Sequence, residues 1–322
     1  MNNFKKIGLS ALAGSLVAFS VNAAEMGVSG GASLTMSDQG LDQENNKWTM
    51  GNSITFSASG ELDNGMTVSS SYELDDDVMD DYSMTFGTAE MGNVTFSGSG
   101  GSSAMSAVDD MTPNAYEEAW HGATTDATAT SAGATVINGF AGVNSFKYVS
   151  PSMGGATFTA SYTPSSATVT VKSSTAYAIS WAPEMAEGLT IGYASQDDES
   201  GSATTASDDT SESTMYATYV YGPVTVGYQQ SDLDSNTDTE DKESTAYSIT
   251  YAVSDSLTVG YGSHTMETTG VTTDKDQEST AVTASYTMGG MTVAGIINDV
   301  DNIGGTDTVD REAYELNLSF AF

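Results

Sequence analysis

The residues whose types could carry chemistry gather in one long polar stretch. Residues 99–142 hold Asp109, Asp110, Glu117, Glu118 and Asp126, together with Trp120 and His121. Close-set carboxylates can relay protons, bind a hard cation, or create a negative field that draws cations. Proton chemistry needs a nucleophile, a base and an orienting group within reach of one another. The chain has only two histidines, His121 and His264, and no cysteine. His121 falls in this stretch and His264 near the outer end of a strand, so a hydrolase has no assembled partners. No cofactor is expected. The spaced ligands of a calcium-binding loop are missing, so calcium is expected at most as a loosely held ion at acidic loops. The field remains.

That field has little to oppose it. The chain carries 8 Lys+Arg against 43 Asp+Glu, a formal net charge of −35. Nucleic acid is excluded as a partner, because phosphate binding needs clustered Lys and Arg. Without cysteine there is no disulfide framework, thiolate metal site or cysteine nucleophile. Beyond residue 23 the only basic residues are Lys47, Lys147, Lys172, Lys242, Lys275 and Arg311. The acid runs Asp75-Asp76-Asp77, Asp80-Asp81, Asp197-Asp198-Glu199 and Asp208-Asp209 are read as solvated loop surface. Disorder would suit the charge, but 16 Tyr, 10 Phe and 3 Trp speak against it.

The elements that must position these groups are strands. Tyr314, Leu316, Leu318, Phe320 and Phe322 share one parity, and Glu315, Asn317, Ser319 and Ala321 the other. Trp48, Met50, Ile54 and Phe56 alternate in the same way with Thr49, Ser53, Thr55 and Ser57. Repeated along the chain, this pattern predicts sixteen strands. Short turns, such as Asp63-Asn64-Gly65, Gly222-Pro223 and Gly289-Gly290, alternate with long acidic connections. The long ones are predicted at 38–46, 75–81, 99–142, 164–173, 197–211, 232–243, 265–277 and 300–310. Strictly alternating connections imply an up-and-down antiparallel meander, and that many strands imply closure. The non-apolar faces are Ser, Thr, Gly and Asn, read as too polar and small to fill a dry core. The apolar faces then meet lipid, with aromatics such as Trp48, Tyr72, Trp181 and Tyr261 near strand ends as interfacial girdles.

Residues 1–23 begin with Lys5 and Lys6, continue in a short apolar run from Ile7 to Phe19 and end at Val21-Asn22-Ala23. This is the form of a cleaved export signal. The expected organisation is a signal peptide over 1–23 and one barrel domain over 24–322.

The chain resembles the sixteen-stranded general porins of Gram-negative bacteria, in the manner of the alphaproteobacterial ones. The most specific local piece is Asn144-Ser145-Phe146-Lys147-Tyr148-Val149-Ser150-Pro151 followed by Met153-Gly154-Gly155-Ala156. It looks like the hairpin that follows the third loop in that family. Ser319-Phe320-Ala321-Phe322 resembles the signal read by the outer-membrane assembly machinery. The resemblance implies an all-β, sixteen-stranded transmembrane barrel in the outer-membrane bilayer, with short periplasmic turns and long external loops. It also implies a homotrimer and a water-filled pore for passive diffusion of small hydrophilic solutes and ions. The third loop, 99–142, would fold inward and narrow the pore.

On that resemblance Asp109, Asp110, Glu117 and Glu118 are the acidic constriction, and no enzyme activity is expected. The family's opposing arginine ladder is not found. Strand parity gives a wall of Ser and Thr with Glu73 and Glu315, and only Lys47, Lys147 and Arg311 can face the lumen. A cation preference follows. Small outward residues Gly30, Ala32, Ala58 and Ser70 suit a contact between subunits. Two other readings stand beside this one. A substrate-selective channel would need aromatic stacking or a basic pocket on the inner wall. A secreted acidic adhesin or surface-layer protein would explain the charge and export, but not the connection pattern.

Overall fold

A two-faced strand must be hydrogen-bonded along both edges or leave a row of open donors and acceptors. In the computed structural model every strand is so paired. The structure describes residues 25–38, 47–75, 78–121, 137, 139, 143–165, 171–200, 209–235, 241–268, 275–305, 307 and 309–322. The predicted export signal lies outside them, as do Asp76, Asp77, Asp126 and Asp208.

Sixteen strands are present among the described residues. They are β1 (Glu25–Asp38), β2 (Lys47–Glu61), β3 (Thr67–Asp75), β4 (Val78–Thr88), β5 (Gly92–Ser99), β6 (Ser145–Val149), β7 (Ala156–Thr163) and β8 (Val171–Trp181). They continue as β9 (Leu189–Ser200), β10 (Thr210–Tyr221), β11 (Val224–Ser235), β12 (Lys242–Ala252), β13 (Leu257–Thr268), β14 (Gln277–Met288), β15 (Met291–Asp301) and β16 (Arg311–Ala321). Each pairs antiparallel with its sequence neighbours, and β1 closes on β16. The seam runs from Asp38 opposite Tyr314 to Gly31 opposite Ala321. Gly30 and Phe322 then exchange two backbone hydrogen bonds, of 3.0 and 2.9 Å. A Cβ at Gly30 would lie 2.6 Å from the Ser53 carbonyl and 2.9 Å from the Phe322 ring. Only glycine leaves that space. At the two-residue turn between β14 and β15, Gly289 takes φ 64°, which a side chain would strain.

Alternation decides what is buried. On β14, Gln277, Ser279, Ala281 and Thr283 are buried toward the lumen, whereas Val282 and Tyr286 are exposed on the outer face. On β15, Ile296, Asn298 and Val300 are buried and Ile297 is exposed. Outward Leu316, Leu318 and Phe320 continue that apolar surface on β16. In an outer-membrane barrel this face meets acyl chains.

Three expectations need correction. The connection predicted at 75–81 shrinks to residues 76–77, because β3 and β4 pair as far as Asp75 opposite Val78. Outward Leu74 and Met79 carry the apolar pattern through what reads as an acid-rich loop. Secondly, Asp75, Asp80, Asp81, Asp197, Asp198 and Glu199 stand on strands, not loops. A tilted strand crosses the bilayer in about 9–11 residues, and β9 has 12 and β2 has 15. Strand ends that project beyond lipid keep their backbone ladder while their side chains meet water. Thirdly, the inner wall is not uniformly small and polar. Ala176, Ala178, Ala194 and Met266 pack with Ala104, Met105 and Ile137 in a dry cluster inside the barrel. That core lies between the wall and the segment linking β5 to β6, residues 100–144, called loop three below.

Candidate functional site: the channel and its inward loop

The described first part of loop three, residues 103–121, follows the inner wall from strand to strand. Near its start, the Ala104 amide donates to Ser161 Oγ on β7 at 2.8 Å, and Ser103 Oγ donates to Gln196 Oε1 on β9 at 2.6 Å. On β11, Gln229 Nε2 donates to the carbonyls of Val108 and Asp109, 2.9 Å each, while its Oε1 accepts from the Met111 amide at 2.6 Å. Ser248 Oγ on β12 donates to the Pro113 carbonyl at 2.6 Å. The Ala115 amide donates to Thr283 Oγ1 on β14 at 3.3 Å. Finally Asn298 on β15 and Glu315 on β16 hold residues 116–121. Residues 103–121 of loop three therefore lie against the inner wall from β7 round to β16.

Close approach is possible because the wall is indented under it. A Cβ at Gly227 would overlap Pro113, and one at Gly260 would lie 3.3 Å from the Ala115 nitrogen. Apolar contacts finish the docking: Ala119 packs with Ala281 and Ile296, with Tyr116 at their edge.

The acids of the loop are half-buried and act on one another. Desolvation pushes the Asp109 carboxyl above its usual range, and the Glu118 charge adds to this. Asp110 is pushed up to about 8, first by burial and then by a hydrogen bond and charge from Glu118. Thr112 Oγ1 donates to Asp110 at 3.1 Å and Asn114 Nδ2 at 3.4 Å. Asp110 therefore keeps its proton near neutral pH. His121 lies 3.2 Å from Glu117 through Nδ1 and 3.2 Å from Glu315 through Nε2. These carboxylates raise its imidazole to about 9, Glu117 contributing most. Glu117 is held below the usual range by the same contact. The Tyr116 hydroxyl is pushed up by burial and by Glu315, to which it donates.

The structure thus brings Asp109, Asp110 and Glu118 together, and gathers Glu117, His121 and Glu315 into a second group. Lys147, facing the lumen on β6, donates to Ser102 Oγ at 2.5 Å at the start of loop three. Arg311 is buried on the lumen face of β16, two alternate positions from Glu315. Glu73 faces inward on β3 opposite Thr55, across a wall from β1 to β5 lined by Ser and Thr. There Thr85 and Thr95 share a 2.8 Å hydrogen bond, and Asn317 Nδ2 donates to Thr35 Oγ1 at 2.8 Å. Lys47 pairs through its backbone with Ser37; its side chain lies outside what is described. Among the described residues, no cluster of three or more His, Asp or Glu is arranged to hold a metal ion.

Sequence reasoning missed the docking residues Gln196, Gln229 and Asn298. Their signal was present as long amides at lumen parity among rows of Ser and Thr. It also set His264 near a strand's outer end. His264 does lie toward the Thr268 end of β13, buried there at lumen parity with its ring 4.5 Å from that of Trp120, a contact the sequence did not reveal. Tyr216 is a further inward aromatic, folded over Gly192 on the neighbouring strand.

Solved structures share this architecture. The anion-selective porin from Comamonas acidovorans superposes with a TM-score of 0.70 at 10% identity, covering 93% of this chain and 100% of that one. OmpT, an outer-membrane protein of Vibrio cholerae, gives 0.69 at 13% identity, covering 94% and 99%. A triple mutant of the Rhodopseudomonas blastica porin gives 0.62 at 14% identity, covering 92% and 100%. No curated protein matches the sequence. The family described as Gram-negative porin matches residues 8–292. With that match over most of its length and a closed sixteen-stranded barrel behind it, the chain belongs to the Gram-negative porin family and is an outer-membrane channel protein.

Proposed function

We propose that the protein is a cation-preferring diffusion pore for small hydrophilic solutes and ions, working without catalysis or energy input. One observation carries the reading. The half-buried acids Asp109, Asp110 and Glu118 stand on the loop inside a barrel whose β1–β5 wall offers hydroxyls, and no basic ladder, among the described side chains. Charges lining a narrow pore act on ions at short range and in partly excluded water, where they are least screened. Lys147 and Arg311 face the lumen, and Lys242, read from sequence as a loop residue, joins them at lumen parity at the first position of β12. Lys147 sits against the start of the loop, Lys242 at the start of β12 and Arg311 at the start of β16, so these three stand on separate strands and form no row opposite the acidic group. An anion-selective porin from Comamonas acidovorans shares the fold. The barrel therefore leaves the sign of selectivity open, and side chains at the constriction set it.

The same reading includes an exported chain processed after Ala23 and handed to the outer-membrane assembly machinery through Phe322. Three copies would associate through the small outward residues Gly30, Ala32, Ala58 and Ser70. Loosely held calcium at the acidic strand ends belongs to it as well.

The test is single-channel recording of the refolded protein in a planar bilayer with unequal KCl on the two sides. A cation-favouring reversal potential with conductance steps in threes is expected. A chloride-favouring potential would discard the acidic constriction while keeping the channel.

A further inference from the structure

Glu315 faces the lumen, so it reads first as a pore-wall charge. Its contacts say otherwise. One oxygen accepts from the Tyr116 hydroxyl at 2.5 Å, and the other lies 3.2 Å from His121 Nε2. Both oxygens of one wall carboxylate are thus spent on loop three, and its side chain is only 15% exposed. His121 is held from its other nitrogen by Glu117. Beside this knot, Asn298 on β15 donates to the carbonyls of Ala119 at 3.3 Å and His121 at 2.5 Å. The imidazole thus contacts Glu117 from the loop and Glu315 from β16, while the His121 backbone donates to the Glu118 carbonyl and accepts from Asn298 on β15. Arg311 stands further along the same lumen-facing row of β16.

We propose that Glu315 is a positioning residue: it clips residues 116–121 of loop three to β15 and β16, fixing the width of the channel, and adds little to its ion preference. His121 lies between the Glu117 and Glu315 carboxyl groups and offsets them, and both Glu315 oxygens are taken up by loop-three partners. The field felt by a passing ion then comes from Asp109 and the Asp110–Glu118 pair. This inference rests on the channel conducting as proposed above, and it concerns which residues hold the channel's shape.

The structure supplies a lock that replaces the clip. A Cβ built on Gly262 of β13 lies 3.5 Å from the Ala119 Cβ, with its next neighbours at 3.7 and 3.9 Å. Cβ atoms of a disulfide sit about 3.5–4.5 Å apart, and the chain has no other cysteine to interfere. Wild type, Glu315→Gln, His121→Gln, and each of these with Ala119→Cys and Gly262→Cys would be recorded as single channels in KCl gradients. Glu315→Gln and His121→Gln are both expected to give flickering traces with added conductance levels. Their reversal potentials should stay nearer wild type than that of Asp109→Asn. Oxidation of the cysteine pair should quiet the trace, and dithiothreitol should restore the flicker. A quiet Glu315→Gln channel with a reversal potential shifted as far as in Asp109→Asn would overturn the proposal, since Glu315 would then be a selectivity charge. So would flicker that persists after the disulfide is verified by mass. Wild-type protein that inserts but gives no steps would remove the channel reading itself, and the proposal with it. That result is distinct from either outcome in the variants.

Discussion

Asp110 accepts hydrogen bonds from Thr112 Oγ1 at 3.1 Å and Asn114 Nδ2 at 3.4 Å, and burial together with neighbouring Glu118 pushes its carboxyl up to about 8. Asp110 thus holds a proton on the inward loop near neutral pH. Asp110 releases it at about 8, so the negative charge there rises as pH rises through that value. Cation preference is therefore expected to strengthen between pH 7 and 9. Removing one unit charge about 4 Å from an ion's path changes its energy by ~1 kcal/mol in bulk water and by more in a narrower, drier one. The permeability ratio should thus change about fivefold or more. Asp110→Asn should abolish this pH response, as measured by reversal potentials across the same range.

Asp109 bears its own charge beside Asp110 and Glu118. Asp109→Asn is expected to lower the cation-to-anion permeability ratio at pH 7 with little change in conductance steps, because Gln229 holds the backbone carbonyls there and asparagine keeps a side-chain oxygen to accept from the neighbouring amides. The check is the reversal potential in a fixed KCl gradient.

Gln229 satisfies three backbone groups of loop three. Gln229→Ala would leave them without partners where the loop meets the wall, and each unmet buried group costs about 1–3 kcal/mol. The loop is expected to loosen while the barrel stays closed. Limited proteolysis should then cut within 100–144 at rates well above wild type, with the heat-modifiable gel mobility of the folded barrel unchanged.

Alkali should loosen the far end of the same loop. His121 has a folded-state value of about 9 against an ordinary 6.5. The folded state binds its proton more tightly than the unfolded state. The stabilising contribution is complete below 6.5 and is lost as pH rises through about 9. Asp110, also raised, acts in the same direction. Protease sensitivity of residues 115–121 is expected to increase above pH 9 in wild type. In His121→Gln it should be already high and flatter with pH.

Gly30 sits where the barrel closes. Gly30→Val places a branched side chain against the Ser53 carbonyl and the Phe322 ring. The seam cannot relax without breaking the two hydrogen bonds between residues 30 and 322. A loss of folded, heat-modifiable species on refolding into detergent is expected, with Gly30→Ala milder.

Period-two alternation in the sequence was enough to determine the sixteen strands, their faces and, with the alternating connections, an antiparallel meander. The reason is local: a strand's two faces are written in adjacent residues, and Leu316 against Asn317 tells them apart without reference to any other strand. Local chemistry also misled. Asp75 to Asp81 reads as loop because acids avoid lipid, yet the ladder continues wherever backbone pairs with backbone, above the membrane as well as within it. What the tertiary structure alone decided is the path of loop three. Its docking rests on single long side chains, Gln196, Gln229, Asn298 and Glu315, each reaching a backbone or hydroxyl group separated by about ninety to two hundred residues. No spacing rule connects such pairs. Only closure of the barrel brings β16 across from the loop that leaves β5, and with it turns Glu315 from a wall charge into a partner of Tyr116 and His121.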